Sequence, residues 1–180
     1  MKWRILFLLF IPILFSSEIF AQRVAVKTNL LYDATLTLNG GFEVRLSDKW
    51  TTDVSGNLNA WDLSSSKKWK HWLLQPEARY WFCESFGGHF LGFHALGGQY
   101  NVAELNDSRY QGWFGGGGVA YGYAFMLNRH LNLELELGLG YIFFKYDKFE
   151  CLDCGRKVKK DEPKHFVGPT KAALNLVYTF

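Results

Sequence analysis

From residue 23 to the carboxy-terminus, apolar and polar side chains alternate with a period of two. Phe42, Val44 and Leu46 alternate with Glu43 and Arg45. Trp50, Thr52, Val54, Gly56 and Leu58 alternate with Thr51, Asp53, Ser55 and Asn57. Leu131, Leu133, Leu135, Leu137, Leu139, Tyr141 and Phe143 stand against Asn132, Glu134 and Glu136. An extended strand sends successive side chains to opposite faces, so this pattern predicts strands and not helices. Eight runs are predicted, over 23–33, 38–47, 50–60, 71–83, 88–100, 112–126, 130–146 and 165–180. Three connections are tight: Ser47–Lys49, Glu84–Gly87 and Leu127–Arg129. Those at 61–70, 101–111 and 147–164 are longer and polar, and the one near Ala34–Leu38 is brief. Aromatic residues make up 18% of the chain, with 18 Gly and only 4 Pro, a composition that suits an all-β fold.

The first residues have a different character. Lys2 and Arg4 precede an unbroken apolar run from Ile5 to Phe15, followed by Ser16-Ser17-Glu18 and by Ala21-Gln22. That order reads as a signal peptide, residues 1–21, cleaved to leave one domain, residues 22–180. The apolar run is too short for a helix that must cross roughly 30 Å of hydrocarbon. No later segment is long and apolar enough for such a helix either. A net charge of +3 gives no argument for nucleic acid.

Alternation alone does not say which face meets the outside. A soluble barrel would turn its apolar face inward, whereas a membrane barrel turns it toward lipid. The long apolar faces favour lipid, as do the rings near strand ends (Trp50, Trp61, Trp69, Trp72, Trp81, Trp113). So do the small residues Gly116, Gly118, Ala120, Gly122 and Ala124, which a narrow lumen requires. The expected fold is therefore an eight-stranded antiparallel up-and-down transmembrane β-barrel in the outer membrane, with both termini in the periplasm. Lys27, Asn29, Glu43, Arg45, Asp53, Asn57, Glu77, Arg79, Glu134 and Glu136 would then point inward, with His94 beside Gly92 and Gly98. Buried charges need partners, so the charged members and His94 predict an interior polar network. An ion path is the functional alternative, but eight strands leave room only for side chains. Leu174, Leu176, Tyr178 and Phe180 share one face. An aromatic last residue resembles the signal read by the outer-membrane assembly machinery, which makes Tyr178 and Phe180 the candidate assembly signal.

Several stretches resemble a domain-of-unknown-function family of small outer-membrane proteins from Gram-negative anaerobes. They are Lys27–Asp33, Glu43-Val44-Arg45 with Lys49-Trp50, Trp69–Trp81, Gly88–His94 and Gln99–Asn101. The resemblance covers nearly the whole mature chain. It implies an outer-membrane β-barrel with no activity to carry over, and an association with surface-appendage proteins.

The chemical motifs are few. Cys151 and Cys154 lie in the longest connection, where an oxidising compartment favours a local disulfide over reactive thiols or a metal pair. Cys83 reads as a small packing residue. The histidines (His71, His89, His94, His130, His165) invite comparison with lipid-A-modifying barrels. However, no nucleophile-elbow motif appears and no Ser shares a strand face with a His at useful depth. Lys67, Lys68, Lys70, Lys157, Lys159 and Lys160 are candidates for lipid headgroups. The expected function is structural or interactive at the cell surface, toward lipid or an appendage partner, with no catalytic residue, metal or cofactor. A lipid-A-modifying enzyme and a soluble periplasmic ligand-binding barrel are the alternatives.

Overall fold

The computed structural model describes residues 23–60, 62–64, 67–103, 109–149 and 157–180. The expected signal segment and the pair Cys151 and Cys154 lie outside the described residues. Nine strands and one short helix follow in order. They are β1 (Val24–Asn29), α1 (Leu30–Ala34), β2 (Leu38–Arg45), β3 (Trp50–Asn59), β4 (Asp62–Ser64) and β5 (Lys67–Trp81), then β6 (Gly88–Ala103), β7 (Arg109–Met126), β8 (Leu131–Phe149) and β9 (Lys157–Thr179). Every pairing is antiparallel. The order β3-β2-β1-β9-β8-β7-β6-β5 is joined end to end by β3–β5 pairing, from Trp50↔Tyr80 to Asn59↔His71. Each of these eight strands thus has two hydrogen-bonded neighbours, which removes the exposed edge of an open sheet. β4 is a short addition on β5.

Several boundaries depart from the sequence expectation. The run 23–33 is not one strand, because β1 ends at Asn29 and α1 begins. The Asn29 side chain accepts a hydrogen bond from the Leu31 backbone N–H at 3.1 Å, as a helix N-cap does. The Leu30-Leu31 pair continues an apolar run and conceals that switch. The strands on the other side of the ring are longer than expected. β5 starts at Lys67, the β6–β7 hairpin reaches Ala103 and Arg109, and the β8–β9 pair reaches Phe149 and Lys157. Ladder hydrogen bonds use backbone groups, so a polar stretch can continue a strand when it has a partner. The wall formed by β5 to β9 is consequently taller than that formed by β1 to β3.

Strand β9 shifts register against β8 at Gly138/Leu139 and again near its start, at Tyr146/Lys148 and Lys148/Phe149. Gly138 pairs with Lys171 and Leu139 with Pro169, leaving Thr170 as an extra residue in a bulge. Below the bulge Lys171, Ala173, Asn175, Val177 and Thr179 face inward; above it Phe166 and Gly168 occupy the inward row.

The three tight connections lie at the end where both chain termini of the sheet meet. Leu46 N–H donates to Trp50 O at 2.8 Å, and Asn128 Oδ1 accepts from the N–H groups of His130 and Leu131, each at 2.9 Å. The Glu84–Gly87 turn folds under the ring. Ser85 Oγ donates to Asp48 O at 2.8 Å, Asn132 Nδ2 donates to Phe86 O at 2.7 Å, and Phe86 is buried with φ of 68°. A left-handed backbone is unusual for a bulky residue. Here it carries the ring beneath the lumen, 6.1 Å from Trp81, whose own ring lies 4.7 Å from Phe90. Trp81 is fully buried, which corrects its expected place among the rings at the outer rim. It sits one residue out of phase with the outward Tyr80 and Phe82. Cys83 is exposed at the turn, not packed.

Polarity across the wall is the reverse of that in a water-soluble domain. Glu43, Asp53, Glu77, Arg79, Glu134 and Glu136 are buried, while Phe42, Val54, Leu74, Phe93, Val119, Leu137 and Leu139 are exposed. Small residues on β7 keep room for what is inside. A Cβ at Gly122 would lie 2.8 Å from the Leu135 carbonyl oxygen and run into the Phe90 ring. Gly122→Val is therefore expected to cost about 2–3 kcal/mol, as overpacked cores do, read as a lowered guanidinium midpoint of tryptophan fluorescence. An unchanged midpoint would mean that β7 can move away from Phe90.

Candidate functional site

The described residues bring charged side chains from six strands to one level of the lumen. Arg79 on β5 lies at its centre. Its Nε donates to Glu77 Oε1 at 2.7 Å, and Nη1 donates to Glu43 Oε2 at 2.9 Å and Glu134 Oε2 at 3.1 Å. Nη2 donates to Glu136 Oε2 at 2.8 Å, and the guanidinium carbon sits 4.5 Å from the Phe90 ring centroid. One planar donor group thus engages carboxylates from β2, β5 and β8, a task that suits the guanidinium fork and not an ammonium. Lys27 on β1 approaches Glu43 Oε2 at 2.5 Å, Asp53 Oδ1 at 3.2 Å and Glu134 Oε2 at 3.7 Å. Lys171 on β9 pairs with Glu77 and, at 3.0 Å, with Glu136 Oε1. Thr51 donates to Glu43 and accepts from Trp81 Nε1 at 2.9 Å, linking the charges to the aromatic layer below.

The cluster holds five carboxyls (Glu43, Asp53, Glu77, Glu134, Glu136) and three cations (Lys27, Arg79, Lys171). Among the described residues Asp53 lies within ion-pair distance of Lys27, but neither of its oxygens has a hydrogen-bond donor in line. A pocket of about 30 Å³ adjoins the cluster, bounded by Lys27, Asn29, Tyr32, Asp53, Gln75 and Lys171 among others. That is room for about one water beside the charges.

Two members of the expected set stand differently. Arg45 is not in the cluster. It lies at the end of β2 and pairs with the exposed Asp48 at 2.7 Å, because the strand reaches the turn before Arg45 reaches the level of the other charges. His94 faces inward, but its Nε2 is 2.8 Å from Thr170 Oγ1 and not on the Arg79 network. Lys171 and Thr51 were absent from the expected set. Lys171 was findable: it shares its row with Ala173, Asn175 and Val177, opposite the outward Leu174, Leu176 and Tyr178.

The remaining candidates are scattered. Lys67, Lys68 and Lys70 lie on β5, and Lys157, Lys159 and Lys160 on β9, with β6, β7 and β8 between the two strands. Tyr178 and Phe180 are exposed on the outer face with ring centroids 4.9 Å apart, and Phe180 N–H donates to Val24 O at 2.9 Å. Ser85 is engaged by its turn, and His89 Nδ1 meets Tyr121 Oη at 2.6 Å on the outer face. No group of three or more His, Cys, Asp or Glu side chains suited to a metal ion occurs among the described residues.

The chain belongs to the family described as Protein of unknown function (DUF3575), whose model matches residues 5–180. No curated protein and no solved structure matches it.

Removing the guanidinium would leave five buried carboxyls facing two cations. Arg79→Ala is expected to lower folding stability by about 3–5 kcal/mol, measured by chemical denaturation. Arg79→Lys should recover only part of the loss, since an ammonium lacks the fork. Full stability in Arg79→Ala would show that the cluster does not hold the wall together.

Proposed function

We propose that this member of a family of unknown function is an eight-stranded β-barrel of the outer membrane, exported by a cleaved signal peptide. Its lumen is filled, and it acts as a structural or interaction protein at the cell surface and not as an enzyme. The observation that carries the reading is the reversed polarity of the wall. Charges occupy the inside, while rows such as Leu133 to Tyr141 on β8 and Val119 to Phe125 on β7 present large apolar side chains outward. Water penalises such a surface and hydrocarbon does not. The stretch Leu133–Phe143 has eleven residues, matching the roughly 9–11 of a tilted membrane strand.

Rings at both ends of the outer face support the same placement. Trp50, Tyr80 and Phe82 form one set near the tight turns, with Trp50 and Tyr80 5.2 Å apart. Trp113 and Phe143, 5.6 Å apart, form another toward the tall rim. Such girdles sit at membrane–water boundaries. Lipid is then the immediate partner, the terminal Tyr178 and Phe180 address the assembly machinery, and the tall rim is the part offered to a surface-appendage protein. A soluble ligand-binding barrel would need the opposite polarity. The lipid-A-modifying alternative would need a base held by an orienting group; His94 Nε2 meets the Thr170 hydroxyl at 2.8 Å, but among the described residues nothing hydrogen-bonds its Nδ1 to hold the ring.

Recovery in the outer-membrane fraction is expected, with boiled and unboiled protein migrating differently. Planar bilayers should record no large, steady conductance. Leu137→Lys is expected to cost about 2–4 kcal/mol of folding free energy in lipid vesicles, against about 0.5 kcal/mol at a water-exposed site. A soluble periplasmic protein indifferent to that substitution would place water, not lipid, outside.

A further inference from the structure

Above the charged cluster the inner face changes from charged to aromatic. Tyr100 from β6, Tyr110 from β7, Phe144 and Tyr146 from β8, and Phe166 with Lys164 from β9 surround a cavity of about 560 Å³. Register places these side chains on the inward row, Phe144 and Tyr146 continuing the row of Glu134 and Glu136. Tyr100 and Phe144 have ring centroids 6.2 Å apart, and Tyr110 and Tyr146 5.8 Å. The bulge at Thr170 makes this possible, because without the extra residue Phe166 and Lys164 would face outward. A ring-lined hollow of this size is in the range of small-molecule sites, about 300–1,000 Å³.

The chemistry of the wall selects the ligand. Its lining side chains include several rings, an isoleucine and one ammonium, and no carboxylate or carboxamide. Lys164 is exposed and forms no ion pair among the described residues. A sugar would ask for acidic and amide side chains around its hydroxyls, and a cation would meet no carboxylate among the lining side chains, Glu162 standing one position further along the row of Lys164. We propose that the cavity binds a small monoanionic amphiphile, with its apolar body against the rings and its carboxylate or equivalent anion at Lys164 Nζ. This does not rest on lipid surrounding the barrel, because the cavity lies on the inner face whatever meets the outer one.

The test is equilibrium binding to the purified full protein, in lipid nanodiscs with empty nanodiscs as the blank if it fractionates with the membrane, and in plain buffer if it does not. 2-Naphthoate and decanoate serve as anionic probes with a ring or a chain, and 2-naphthylmethanol as the uncharged control. Saturable binding of one naphthoate or decanoate per chain is expected, and the tighter probe identifies the body as ring or chain. Lys164→Gln should weaken it about threefold, the worth of an exposed ion pair. Ile142→Trp, which fills the cavity floor, should abolish it. Absence of saturable binding by both anions, equal binding of the alcohol, or undiminished binding in Ile142→Trp would overturn the proposal. Should Ile142→Trp fail to fold, the charge comparison still decides. Outer-membrane fractionation tests the barrel's location separately, so the two proposals fail independently.

Discussion

Backbone ladders close the ring and set its girth, but they do not say what fills it. The filling is anchored by Arg79, which grips carboxylates on β2 and β8 from its place on β5. Burying such a charge is costly unless several acceptors meet it in the right geometry. The rest of the inner face follows from that requirement. The carboxylates must reach inward, Lys27 and Lys171 must balance them from the remaining arc, and the facing strands must be kept small. Gly92, where a Cβ would run into the Glu77 carboxylate, shows how little space is spare.

Much of this was legible from period two alone. The inward row of Lys27, Glu43, Asp53, Glu77, Arg79, Glu134 and Glu136 follows from alternation, since a strand that exposes Leu135 and Leu137 must turn Glu134 and Glu136 the other way. The errors have local causes. Arg45 obeys the alternation but lies too near the turn, so depth and not facing decides its partner. Leu30–Ala34 became a helix because Asn29 caps it, a side-chain contact that an apolar pair obscures. The upper strands run past their expected ends because polarity does not end a strand that has a partner; the ladder has no stake in it. The aromatic cavity was out of sight for a different reason: its lining comes from four strands, and only register says that Tyr100, Tyr110, Phe144 and Phe166 stand at one level.

The lumen is therefore graded along its length. Phe86, Trp81 and Phe90 stop the turn end, the charges fill the middle, and the tall rim is hollow and aromatic. The filled lower half gives the open half a floor. Preorganised walls reduce what a ligand must lose in ordering the site.

Thr170 divides β9 into two halves that count their residues with opposite parity. Below it odd positions face the lumen; above it, from Gly168 to Glu162, even positions do. Such a point works like a slip joint. A residue gained or lost there would exchange Phe166 for Val167, now 80% exposed, on the inner wall while Lys171 stayed with Glu77 and Glu136. The lining of the outer half can thus be rewritten in one step without touching the charges that hold the inner half closed. Diversification of the rim and conservation of the plug are, in this chain, mechanically separable.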